Sequence, residues 1–167
     1  MKHGYVFRKI DKEEVPVMFS MILQRIKWMN DKGIRQWNTT KYDEVYPISF
    51  YEAMRQKGEV FVLVDANTNE IRSAAILRKE DERWQDDSPA IYLHNFVSDI
   101  NHKNMGEVFL QFVEQYALDN GKRYFRLDSA ADNHSLGQYY ENHGFIEVGK
   151  CEEGLYHGVL RQKELKI

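Results

Sequence analysis

His94 sits inside the β-prone run Ala90-Ile91-Tyr92-Leu93-His94-Asn95-Phe96-Val97-Ser98, where an imidazole is the natural group for moving protons. An ordinary imidazole pKa of about 6.5 suits a general base working near neutrality. A strand histidine serves equally well as a hydrogen-bonded structural residue. Downstream, Lys103-Asn104-Met105-Gly106-Glu107-Val108 joins this run to a helix. A loop entering a helix grips anions because unpaired N–H groups converge there and the helix dipole favours negative charge. Gly106 lets the backbone approach such a ligand with no Cβ in the way, and Lys103 offers a point charge. The same residues also make an ordinary strand-to-helix connection. Glu107 brings a negative charge to the spot, although glutamate in a first helical turn is common dipole compensation.

Other groups are more ambiguous. Tyr139 and Tyr140 share a helical stripe with Leu136 and His143, which by itself reads as core. Trp28, Gln36 and Trp37 offer aromatic walls and one amide. These suit a cationic or apolar amine, and equally the packing of a lid. Cys151 is the single cysteine, so neither an intrachain disulfide nor a cysteine-based zinc site is available. The histidines and acids show no spacing such as His-Glu-x-x-His, and no metal is expected.

A formal charge of −3 gives no general attraction to nucleic acid, and no such partner is expected. The acidic run Glu80-Asp81-Glu82 with Asp86-Asp87 reads as a solvated loop, or as one facing cationic partners. No apolar segment approaches the roughly 18 residues that suggest a membrane span. The N-terminus lacks a signal-peptide pattern. A cytoplasmic location is therefore expected, with no membrane partner.

The elements that must position these groups follow from periodicity. Residues 5–10 read as a strand, and Asp11 with Glu14 as a capping box before a helix whose apolar stripe runs Val15, Met18, Phe19, Ile22, Ile26 and Met29. Gly33 is a natural stop. Residues 34–47 form a polar and aromatic connection, and residues 49–57 a short helix. Residues 60–64 and 70–79 pair as a hairpin across Asp65-Ala66-Asn67-Thr68-Asn69. After the strand at 90–98, Met105, Val108, Phe109, Phe112, Val113, Tyr116 and Ala117 mark an amphipathic helix. A strand at 124–128, a helix at 135–143 and strands at 145–148 and 156–162 close the chain. This order favours one α/β domain over residues 1–167, with helices packed around a mixed sheet.

Taken together, residues 90–145 resemble the GNAT N-acetyltransferase superfamily. The family's Arg/Gln-x-x-Gly-x-Gly/Ala loop is matched by Lys103-Asn104-Met105-Gly106-Glu107-Val108, with Val108 in place of the second small residue. Asn133, seven residues before Tyr140, and Gly144-Phe145 are similar to the family's Asn-to-Tyr helix and strand entry. Arg126-Leu127-Asp128 resembles the preceding strand. The resemblance implies a mixed, mostly antiparallel, twisted sheet of about seven strands with helices on both faces.

It also implies acetyl-CoA as co-substrate and direct attack of a primary amine, from a small molecule or peptide, on the thioester in a ternary complex. Cofactor contacts are then expected from Phe96, Val97, Ser98, Lys103, Asn104, Met105, Gly106, Glu107, Val108, Asn133 and Tyr140. The amide nearest Val97 is the implied oxyanion donor, and Tyr140 the implied acid for the departing thiolate, with His94 as candidate base. Trp28, Gln36 and Trp37, with the loop at 80–89, are expected to form the acceptor pocket. Val108 and Glu107 leave open a CoA-binding module with weak or no turnover. A monomer or a homodimer fits equally.

Overall fold

The computed structural model describes residues 4–166. Seven strands form one sheet. They are β1 (Tyr5–Lys9), β2 (Val60–Asp65), β3 (Ile71–Arg78), β4 (Ala90–Ser98), β5 (Tyr124–Ala130), β6 (Ile146–Glu153) and β7 (Tyr156–Glu164). In space they run β1-β2-β3-β4-β5-β7-β6. Only β4 and β5 are parallel; the other neighbours are antiparallel. A parallel pair requires a crossover, which is supplied here by helix α4 (Met105–Asp119). The remaining helices are α1 (Val15–Lys32), α2 (Tyr42–Val45), α3 (Ile48–Gln56) and α5 (His134–Asn142). The expected mixed, mostly antiparallel sheet with helices on both faces is what the chain forms.

Strand alternation divides β2 between two cores. Val60, Val62 and Val64 pack with Met18, Ile22 and Tyr51 of α1 and α3. Phe61 and Leu63 face the opposite way, towards Phe109, Leu110 and Val113 of α4. The continuous apolar run of this strand is therefore explained by burial on both faces. Before α1, the Asp11 amide donates to Glu14 Oε1 at 2.9 Å, closing a short 3₁₀ turn at Lys12–Glu14. Pro16 falls in the helix's first turn, where its missing N–H costs no bond. Gly33 ends the helix at φ 69°. Among the described residues, no helix is long and apolar enough to cross a membrane.

Three expectations need correction. The strand expected at 145–148 continues to Glu153 and pairs with β7 along its whole length. Its exposed, charged second half lacks the apolar alternation that marks a half-buried strand. The connection at 34–47 contains a 3₁₀ turn at Trp37–Thr39 and the short helix α2. The acidic loop at 80–89 is not simply solvated. The Asp81 side chain is only 6% exposed, and Asp86 is clasped by Arg126, whose guanidinium also stacks on Trp84 at 4.4 Å.

Candidate active site

The site begins where β4 and β5 part. Their register runs from Ala90↔Tyr124 to Leu93↔Leu127 and stops, while β4 continues to Ser98 and β5 to Ala130. A bulge opposite Ala75 and the left-handed Asn95, φ 52°, bend β4 at this point. Asn95 is held there by its side-chain amide, which donates to the Tyr42 hydroxyl at 2.6 Å. Two cavities open along the gap.

The first, of about 540 Å³, lies over the start of α4 and is lined by Phe96, Val97, Ser98, Lys103, Asn104, Met105, Gly106, Glu107, Asn133 and Tyr140. Of the expected cofactor residues, Val108 alone is missing from its wall; it packs into the α4 core instead. The amides of Met105, Gly106 and Glu107 have no acceptor among the described residues, as a helix start requires of an anion site. Ser73 Oγ donates to the Met105 carbonyl at 3.0 Å and pins the turn to β3. A Cβ on Gly106 would lie 3.2 Å from Phe96 Cζ and 3.3 Å from the Tyr139 hydroxyl. A larger residue would crowd these side chains, and the free amides, with Lys103 in the same wall, fit a diphosphate.

The outward-facing backbone donor is not the expected one. The Asp99 amide donates to the Arg72 carbonyl at 2.9 Å, and the register continues through Ser73↔Ser98 and Ala74↔Val97. Antiparallel alternation turns the Val97 amide back towards Ala74 and leaves the Ser98 amide at the open edge. The Ser98 carbonyl, on the same side, accepts from Arg25 Nη2 at 2.8 Å.

The second cavity, of about 410 Å³, is the more enclosed. Aromatic rings of Trp37, Tyr42, Tyr46, Tyr140 and Tyr156 make much of its wall, with Trp37 stacked on Tyr42 at 4.4 Å. His94 and Asp128 lie on its sheet side. Their proximity follows from register: Tyr92 pairs with Arg126, so the next residues on that face, His94 and Asp128, meet just beyond the last pair. Arg83 spans the cavity, donating to Asp128 Oδ2 at 3.2 Å and to Glu153 Oε2 at 2.7 Å. Tyr156 donates to Asp128 Oδ1 at 2.5 Å. Burial, followed by the charge of Asp128, pushes the Tyr156 phenol far above its ordinary range.

Asp81 stands behind His94, with Oδ2 2.7 Å from Nε2. The contact is off the line of the ring N–H, so both atoms are buried without an aligned bond. Burial raises the Asp81 pKa, but His94 and Arg83 outweigh it and hold the carboxyl below its ordinary value. Carboxylate oxygens of Asp81 and Asp128 and a nitrogen of His94 come within 4.8 Å of one another, close enough to suggest a cation. Both Asp128 oxygens are already taken, and the cation beside them is Arg83.

Tyr140 belongs to the walls of both cavities, together with Gln36, Trp37, Phe96 and Leu136. Its phenol is pushed well up by burial, then by Tyr139 and Asp128, and so stays protonated at neutral pH. Asn133 caps α5, accepting from the Leu136 amide at 3.0 Å, and donates to Gln36 Oε1 at 3.2 Å. This second bond ties the α1–α2 connection across the gap. Of the expected acceptor residues, Gln36 and Trp37 line the enclosed cavity, whereas Trp28 lines the loop-side one, under Arg25. His102 pairs with Asp99 and Glu52 with Arg55, both away from the enclosed cavity.

Sequence reasoning missed Asp81, Arg83, Asp128, Tyr156 and the hairpin turn Gly154-Leu155. Arg126-Leu127-Asp128 carried a usable signal. Two charges on one face of a central strand must find partners inside the fold.

The architecture is thus a mixed sheet opened between two parallel strands, with a cavity on each side of Tyr140. The model of the Acetyltransferase (GNAT) family matches residues 26–145, and the chain belongs to that family. Curated protein sequences give no significant match. Among solved structures, a GNAT-family acetyltransferase from Listeria monocytogenes is 22% identical, covering 96% of this chain and 95% of its own, with a TM-score of 0.76. One from Streptococcus agalactiae is 17% identical, with coverage of 100% and 99% and a TM-score of 0.79. The PaiA N-acetyltransferase of Thermoplasma acidophilum, solved with coenzyme A, is 14% identical, with coverage of 96% and 98% and a TM-score of 0.73.

Proposed function

We propose that this chain is an acetyl-CoA-dependent N-acetyltransferase of the cytoplasm, acting on a primary amine of a small molecule or peptide. One observation carries the reading: a cavity over the free amides at Gly106 and an enclosed aromatic chamber lined by His94 meet at the Tyr140 side chain. The coenzyme A bound by the Thermoplasma relative supports the cofactor. Acetyl-CoA supplies the activated acyl group. The chain supplies orientation and protons.

Alkylamines resemble lysine, with a pKa of about 10.4, and enter mostly protonated. His94 accepts one proton from the bound ammonium. The freed lone pair forms the N–C bond, and the C–S bond breaks with its electrons on sulfur. The Tyr140 hydroxyl gives its proton to that sulfur. The remaining surplus proton on nitrogen returns through water to the tyrosinate, and His94 releases its own to solvent. The Ser98 amide, at the open edge of β4, is the donor available to the developing oxyanion.

Calorimetry with acetyl-CoA and with CoA tests the cofactor, and thiol release against a panel of amines tests turnover. Failure to bind either nucleotide at millimolar concentration would reject the assignment. Binding without thiol release from any amine would favour a CoA-binding module.

A further inference from the structure

We propose that Asp81 is a positioning residue that holds His94 as the Nε2–H tautomer, leaving the Nδ1 lone pair to face the enclosed chamber. The inference rests on the reading of His94 as the base and adds which nitrogen works and what fixes it. Elimination among the neighbouring groups leads to Asp81. Of the charged and titratable groups around the ring, Asp128 on β5 has one oxygen engaged by Tyr156 of β7 and the other by Arg83. Glu153, at the end of β6, is bonded to Arg83, and Tyr140 reaches the chamber from α5. Asp81 Oδ1 accepts the Arg83 backbone amide at 3.0 Å. Among the described residues around the ring, Asp81 Oδ2 is the buried carboxylate oxygen left without a bond, and it lies 2.7 Å from His94 Nε2.

A carboxylate oxygen can only accept, so the nitrogen beside it must carry hydrogen. The other nitrogen, Nδ1, has no partner among the described residues, and the ring lines the chamber. Catalytic hydrogen bonds commonly align fully only in the complex with substrate, so an off-axis approach at 2.7 Å is compatible with the role. The loop is braced to keep this geometry. Asp86 and Trp84 grip Arg126, while Arg83 reaches Asp128 and Glu153. During turnover the amine proton moves to Nδ1, and the Nε2 proton stays between ring and carboxylate.

The test reads the ring directly. Long-range ¹⁵N–¹H spectra of the protein without added CoA, at a pH where the ring is neutral, should show a protonated Nε2 and an unprotonated Nδ1. Asp81→Asn and Asp81→Ser should lose that preference. In steady-state assays they should lower kcat about 100-fold, with KM for acetyl-CoA unchanged. A wild-type Nδ1–H tautomer would overturn the proposal even if neither variant folds. So would a folded variant that keeps both the tautomer and kcat. Because the spectra need no cofactor, a protein with the stated tautomer that acetylates no amine would count against the proposed activity and not against this pair.

Discussion

The Glu107 carboxylate lies 3.2 Å from His143 Nε2, turned from the phosphate cradle towards α5. The other ring nitrogen of His143 donates to the Tyr139 carbonyl at 2.7 Å, which fixes the ring in place. Both ring nitrogens face acceptors, so Nε2 donates to Glu107 only when the ring carries two hydrogens, and the pair is then an ion pair that turns the carboxylate towards the end of α5. At a pH low enough to protonate the ring, His143→Ala should free that charge and weaken CoA binding about 3- to 10-fold at low salt, with the loss shrinking as salt is raised. Adding Glu107→Gln should restore affinity. Equal affinity of His143→Ala and wild type in low-salt calorimetry would show the pairing to be irrelevant.

Gly106→Ala places a methyl group 3.2 Å from the Phe96 ring and 3.3 Å from the Tyr139 hydroxyl. One of these side chains must give by a few tenths of an ångström beside the turn. CoA affinity should fall at least about tenfold, a change of about 1.4 kcal/mol, while thermal stability changes little. Isothermal titration and a melting curve on the same sample separate the two effects.

Tyr140→Phe keeps the ring packed against Phe145 and Tyr139 and removes only the hydroxyl. Turnover should drop about 100-fold where chemistry limits the rate, with CoA affinity within about twofold of wild type. An undiminished single-turnover rate would take the hydroxyl out of the chemistry.

Arg83 joins Asp128 and Glu153, its side chain 19% exposed and that of Asp128 10%. Arg83→Met strands a buried carboxylate and should cost about 3 kcal/mol. Arg83→Met with Asp128→Asn should recover part of that loss in urea unfolding. Additive losses would mean that the two side chains are not coupled.

Asp86 supplies a pH dependence with a definite sign. Arg126 holds its carboxyl down at about 2, against about 3.9 for an unfolded chain. A depressed folded value contributes stability that is complete above about pH 4 and is lost as pH falls towards 2. Asp86→Asn should flatten the stability–pH curve in that interval and leave its shape above pH 5 unchanged.

Much of the framework was legible because it rests on local pattern. Val60 to Val64 could only be a buried strand, and Met105 to Ala117 repeats every three and four residues. The turn into α4 was legible as a strand-to-helix connection with a glycine at the helix start, but not what it holds. Asp81 was not. In the sequence it is one acid among several, and its burial comes from His94, thirteen positions away, together with the Arg83 backbone. Likewise Asp128 and Tyr156 meet only after β5 and β7 pair. The far half of β6 escaped notice because an edge strand can be charged and exposed and still be held by backbone bonds.

The turn Gly154-Leu155 joins β6 to β7 at the rim of the aromatic chamber, with glycine at φ 58° and the leucine 61% exposed. It hangs from the outermost strand and carries no weight in either hydrophobic core. Residues there can be exchanged, or the loop lengthened, with small penalty to folding. Under the proposed function, selectivity for the incoming amine can therefore drift, or be redesigned, independently of the turn at Gly106.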